Sequence, residues 1–155
     1  MSDFIIVCID DEPDILEYTA KLIESIEHKV VRFTCPEKAV LFIEENNKKV
    51  IMIFSDFKMP KKTGFDLRSE LLTKGYDHPF AIFTGFYDTE MATQAMRLRI
   101  CEFIQKPADA DQFHNIINKY AAERISSINE EREMISDFLA ETTPMLDEIE
   151  EIISV

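Results

Sequence analysis

Glycine is scarce in this chain, with three in 155 residues, and six prolines are scattered along it. So little of either excludes a long flexible linker or a low-complexity region. No apolar run nears the roughly 20 residues needed to cross a bilayer. The N-terminus has no signal-peptide pattern, and the expected compartment is the cytoplasm. Cysteine is limited to Cys8, Cys35 and Cys101, an odd and widely spaced set without a CxxC, and His28, His78 and His114 are just as scattered. That spacing speaks against a disulfide framework or a zinc site and for reduced thiols filling semi-buried space. Basic residues are also few, 17 against 30 acidic, for a net charge of −13. Residues 124–155 hold nine acidic residues and two arginines. Such a surface repels phosphate backbones and anionic lipid, so neither nucleic acid nor membrane is an expected partner.

Apolar residues, by contrast, make up 46% of the chain. They gather into short runs at FIIVCI (4–9), VVRF (30–33), VIMIF (50–54), FAIF (80–83) and CEFIQ (101–105). Between the runs lie stretches of helical spacing: Ile15, Leu16, Tyr18, Leu22, Ile23 and Ile26 after Pro13, then Ala39, Val40, Phe42 and Ile43 after Pro36. Three more follow, marked by Leu67, Leu71 and Leu72, by Met91, Ala95, Met96 and Leu98, and by Phe113, Ile116, Ile117 and Tyr120. Five strand-helix alternations with runs fit for burial on both faces predict an α/β fold: a doubly wound, five-stranded parallel sheet of flavodoxin-like type.

In such sheets chemistry collects at the carboxyl ends of the strands. There the first run ends in Asp10-Asp11-Glu12, the third in Ser55-Asp56, the fourth in Thr84-Gly85 and the fifth in Gln105-Lys106-Pro107. Three carboxylates about 5 Å apart repel by about 3 kcal/mol per pair at an effective dielectric of 20. A hard divalent cation such as Mg²⁺ answers that repulsion with oxygen ligands. With Lys106 beside it, the ion makes a receptacle for a transferring phosphoryl group, and Asp56 becomes a candidate nucleophile. The bland alternative for Asp10, Asp11 and Glu12 is an acidic first turn favoured by the helix dipole. Met59-Pro60 and Gly64 read as loop formers, with Gly64 a candidate for positive φ.

Asp10-Asp11, Asp56 with Met59-Pro60 and Gly64, Thr84, and Lys106-Pro107 together resemble the receiver domain of two-component response regulators. The resemblance spans roughly residues 3–122 and divides the chain into a receiver domain, 1–122, and a helical extension, 123–155. It implies that Asp56 accepts a phosphoryl group from a sensor histidine kinase or phosphotransfer protein. It further implies that Asp11, Asp56 and the backbone carbonyl of Lys58 ligate Mg²⁺, with Asp10 acting through a metal-bound water. Lys106 would pair with the phosphoryl oxygens, Thr84 would hydrogen-bond one of them, and Phe103 would turn inward as Thr84 moves. A cis Lys106-Pro107 bond is expected. Such a chain is a phosphoacceptor, not an enzyme turning over external substrates.

Some positions depart from the family's pattern. Arg99-Ile100 stand where Gly-Ala is usual, implying an altered end to the fourth helix with Arg99 exposed. Gly85 replaces the usual Ala and leaves the mouth of the site more open. Lys58 and Phe86 occupy positions that tune phosphoryl lifetime.

Beyond residue 122, helical spacing continues to Thr142-Thr143-Pro144. A fifth helix from about 109 to 140 is expected, then a short additional helix carrying Leu146, Ile149, Ile152 and Ile153. Ala121, Ile128 and Ile135 recur every seven residues, with Ile125, Arg132 and Leu139 on the offset row, widened by Met134 and Phe138. Homodimerisation through residues 121–153 is the expected use; a helical hairpin or a linker to a further domain are the alternatives. Two other functions compete with the phosphoacceptor. One is a Mg²⁺-dependent phosphatase resembling the haloacid dehalogenase superfamily, disfavoured because Lys58 stands where that family has its second Asp. The other is a flavodoxin-like binding module without phosphorylation, disfavoured by the Asp56-Lys106 pair.

Overall fold

A computed structural model describes residues 3–153. Five strands alternate with five helices: β1 (Ile5–Ile9), α1 (Pro13–Glu24), β2 (Lys29–Phe33), α2 (Pro36–Glu45), β3 (Val50–Asp56), α3 (Gly64–Thr73), β4 (Phe80–Thr84), α4 (Thr89–Arg97), β5 (Glu102–Gln105) and α5 (Ala110–Ile153). The strands pair in parallel in the order β2-β1-β3-β4-β5. All five residues of β1 and of β4 are buried, as are the first six of β3. That is the pattern of strands covered on both faces. The expected flavodoxin-like doubly wound sheet is what the chain forms.

The winding reverses between β1 and β3, so the loops that follow them diverge and leave a crevice at their carboxyl ends. The register aligns those ends, with Ile9 beside Ser55, Asp56 beside Phe83 and Thr84 beside Gln105. Beneath the crevice the core packs Val7, Ile9, Ile53, Leu67 and Ile82, each at most 1% exposed. Pro13 and Pro36 open α1 and α2, where a missing N–H costs no helical bond. Thr63 and Asp66 form a reciprocal capping box on α3. The three cysteines are free thiols, Cys8 buried and the other two partly so.

The end of α4 departs from a glycine-terminated helix. Arg99 is exposed and left-handed, with φ 53°. Its N–H donates to Met96 O at 3.2 Å, and that of Ile100 donates to Ala95 O at 2.9 Å. Those two bonds close the helix as a Schellman motif. Arg68 of α3, only 2% exposed, reinforces the turn. Its guanidinium donates to the main-chain carbonyls of Leu98 (2.9 Å), Arg99 (3.2 Å) and His78 (2.6 Å). It also lies 5.4 Å from the centre of the Phe80 ring. Burial depresses its pKa to about 10, so it remains a cation at neutral pH, set at the negative end of the α4 dipole.

The chain divides into two compact units, one ending at Arg124 and the other beginning at Ile125. Among the described residues the break expected at Thr142-Thr143-Pro144 is absent, and so is a separate C-terminal helix: α5 is continuous and carries Pro144 within it. Proline removes one N–H from the ladder and leaves the Ala140 carbonyl without its helical donor, and the two threonines before it bond back to earlier carbonyls. Thr143 Oγ1 donates to Leu139 O at 2.7 Å, and Thr142 Oγ1 to Phe138 O. Helix-compatible residues on both sides let the turn persist around the missing bond. Among the described residues no helix is long and apolar enough to cross a membrane.

Candidate phosphoacceptor site

Asp10 and Asp11 follow the last residue of β1, Asp56 ends β3, Thr84 ends β4 and Lys106 follows β5. The fold therefore delivers these residues, far apart in sequence, to one edge of the sheet. One carboxylate oxygen from each of Asp10, Asp11 and Asp56 lies within 4.8 Å of the others. The Lys106 ammonium bridges two of the three, donating to Asp10 Oδ2 and Asp56 Oδ1 at 3.1 Å each. Asp10 is buried and accepts the Glu12 N–H on its other oxygen at 3.0 Å. The side chain of Asp56 retains 14% exposure, enough for approach from solvent.

Electrostatically the cluster is short of positive charge. Burial pushes the Asp56 carboxyl above its ordinary range; the Lys106 hydrogen bond pulls it back, and the charges of Asp10 and Asp11 add to the rise. Burial also opposes the Lys106 charge, but its bonds to Asp10 and Asp56 outweigh that and hold the ammonium above its ordinary range. One cation thus faces three carboxylates. An all-oxygen donor set this compact fits a hard divalent ion, and Mg²⁺ uses few carboxylates and keeps waters.

The loop after β3 is tied close beneath the site. Phe57 N donates to Phe83 O at 2.8 Å, and Gly64 N donates to Phe57 O at 2.7 Å. Gly64 is not at positive φ, contrary to the sequence-based expectation. It is required for close approach: a Cβ there would meet Asp56 O at 2.9 Å and the Ile82 side chain at 3.1 Å. Lys58 is exposed on this loop, and the Lys106-Pro107 peptide is cis as expected. A Cβ at Gly85 would meet nothing within 4 Å, in keeping with an open mouth.

Thr84 and Phe103 are both engaged by the loop between β4 and α4. The Thr84 hydroxyl donates to Phe86 O at 2.6 Å and accepts Phe86 N–H at 3.2 Å. Phe103 is half-buried and stacks on Tyr87, with ring centroids 4.8 Å apart and planes 8° from parallel. Sequence reasoning missed Tyr87; an aromatic three residues past Thr84 was the available signal. It also missed Arg68, whose charge within a helical stretch reads as a surface residue. Beside the site a cavity of about 430 Å³ lies between Ile15, Tyr18 and Thr19 of α1 and the Lys106–Ala108 turn, floored by Phe83 and Phe113.

Known proteins share this fold. Residues 6–118 match the response regulator receiver domain family. The response regulator protein TodT of Pseudomonas putida is 25% identical over 142 residues, covering 85% of this chain and 61% of TodT. The phosphoglycerate transport system transcriptional regulatory protein PgtA of Salmonella typhimurium is 28% identical over 123 residues, 79% of this chain and 29% of PgtA. The chain thus spans less than two thirds of the length of these curated relatives. Among solved structures, a response regulator receiver domain protein from Clostridium thermocellum superposes with a TM-score of 0.72 at 27% identity, covering 78% of this chain and 96% of that one. With the matched region taking in most of the chain and all five strands, this protein belongs to the response regulator receiver domain family.

Proposed function

We propose that the chain is a phosphorelay receiver that takes a phosphoryl group on Asp56 from a phosphohistidine of a sensor kinase or phosphotransfer protein. The observation that carries this is the Asp56 carboxylate held at the end of β3 against Asp10, Asp11 and the Lys106 ammonium. A carboxylate oxygen of Asp56 attacks phosphorus. The new O–P bond forms as the N–P bond breaks, and the departing electron pair stays on the imidazole nitrogen. Lys106, already 3.1 Å from Asp56, turns from its carboxylates to the phosphoryl oxygens as negative charge arrives. Thr84 leaves Phe86 to donate its hydroxyl to one of those oxygens, and Phe103 leaves Tyr87 as the loop shifts. Asp11, Asp56 and the Lys58 carbonyl would hold Mg²⁺, with Asp10 in its outer sphere. When bound there, the ion supplies positive charge opposite the transferring group.

The apolar cavity between α1 and the Lys106–Ala108 turn suits a donor protein's side chains alongside Asp56. Output passes through protein contacts, a second copy of this chain among them, and the acidic surface disfavours nucleic acid. The test is intact mass after incubation with Mg²⁺ and acetyl phosphate. One phosphoryl increment is expected, absent in Asp56→Asn and absent without the metal. An unmodified wild-type chain, or an adduct that persists in Asp56→Asn, overturns the assignment.

A further inference from the structure

The second unit, from Ile125 onward, leaves an apolar face in water. Between Met134 and Ile153, nine large apolar side chains are 50–77% exposed. Eight of them, with Thr142, fall into rows seven residues apart: Ile135, Thr142 and Ile149; Phe138, Met145 and Ile152; Leu139, Leu146 and Ile153. On a continuous helix these rows are neighbours and form one stripe. At roughly 100 Å² of exposed surface apiece, these eight make a stripe on the order of 800 Å². That exceeds the few hundred Å² of apolar patch that a monomer ordinarily exposes. It equals the ~800 Å² per partner of a standard specific interface.

We propose that residues 134–153 pair in parallel and in register with the same residues of a second copy. The row at 135, 142 and 149 is wholly β-branched, the preference of one seam position in two-stranded parallel coils. Thr142 is its only polar member, and a polar seam residue fixes register at some cost in stability. The flanking charges select the direction. In the parallel pair Glu141 lies across from position 146 of the second copy, and Glu148 across from position 153. Each glutamate stem then covers a leucine or isoleucine, and no acidic pair meets at the seam. Antiparallel pairing instead brings Glu141 and Glu148 of the two copies together. Pro144 shares its row with Asp137 and Glu151, away from the seam. The contact is narrower than the 121–153 span expected from sequence, because Ala121 is already buried and the exposed large apolar side chains begin at Met134.

Residues 125–155 carry nine acidic groups and one arginine, a net charge of −8 per copy. Pairing sets two such segments side by side, so salt should tighten the dimer. This deepens the partner named above. Its test uses no phosphodonor, so its failure leaves the phosphoacceptor assignment standing, and the reverse holds. Light scattering on the full chain should give a dimer whose Kd falls about tenfold or more from low to high ionic strength. Leu146→Glu and Ile149→Glu should each give a monomer, whereas Asp147→Asn, on the outer face, should leave the dimer intact. Ile149→Cys should oxidise to a disulfide that mass spectrometry maps from 149 to 149. A monomer at high salt, a dimer surviving both glutamate substitutions, or a dimer without the 149–149 link each overturns the proposal.

Discussion

Replacing Arg68 with methionine should destabilise the chain by about 3 kcal/mol. Net, a hydrogen bond from a charged donor contributes about 1.5–3 kcal/mol, and Arg68 makes three to main-chain carbonyls. Against them stands the burial of a guanidinium, a penalty of several kcal/mol that methionine relieves while filling similar volume. What does not cancel is the carbonyl of buried His78, which loses a 2.6 Å bond and gains no water. An orphaned buried acceptor costs about 1–3 kcal/mol. The Leu98 and Arg99 carbonyls lie nearer solvent and recover part of theirs. The cation–π contact with Phe80 adds about 1 kcal/mol. Urea unfolding should show a lower midpoint at an unchanged m-value, and Tm should fall by about 10 °C for a chain of this size. Arg68→Lys, which cannot span three carbonyls, should fall between. If Arg68→Met unfolds within 0.5 kcal/mol of wild type (about the scatter of a neutral surface change), the clamp on α4 is not structural and the reasoning fails.

Gly64→Ala should cost about 1–3 kcal/mol and slow phosphoryl uptake, because a Cβ 2.9 Å from Asp56 O must displace the backbone that carries the nucleophile; mass spectrometry against time with acetyl phosphate reads the uptake. Asp56→Asn should raise stability at neutral pH. Its folded carboxyl titrates above the ordinary range, so wild type loses stability as pH rises through the window between the ordinary value and the raised one. The gain should therefore vanish below that window, as chemical denaturation across acidic pH would reveal. Mg²⁺ should raise the wild-type Tm and have little effect on Asp56→Asn, as calorimetry would show. Pro144→Ala restores an N–H to α5 and removes the ring, and should increase helicity by circular dichroism and tighten self-association.

Much of this molecule can be read in one dimension. Five short runs that alternate with helical stretches leave few sheet architectures, and Asp10-Asp11, Asp56, Thr84 and Lys106 each end or follow one of those runs. Other residues misled because their roles depend on a neighbour distant in sequence. Gly64 looked like a turn glycine, but its constraint is the Asp56 carbonyl, which reaches it only after the loop folds back. Arg68, between Leu67 and the Leu71 turn, has no local signal of its role, since the three carbonyls that hold it lie 10 to 31 residues away. Pro144 looked like a stop, yet α5 runs through it at the loss of one backbone bond.

Sequence by itself determined the five strands, the helices from α1 to α4 and the set of charges at the strand ends, since hydrophobic period and chain-local punctuation are properties of neighbouring residues. Tertiary structure decided the strand order that opens a crevice between β1 and β3. It also decided that one ammonium bridges Asp10 and Asp56, and that Thr84 and Phe103 are held by Phe86 and Tyr87. Those are distances between residues up to 96 positions apart. They exist only once the sheet has set its register.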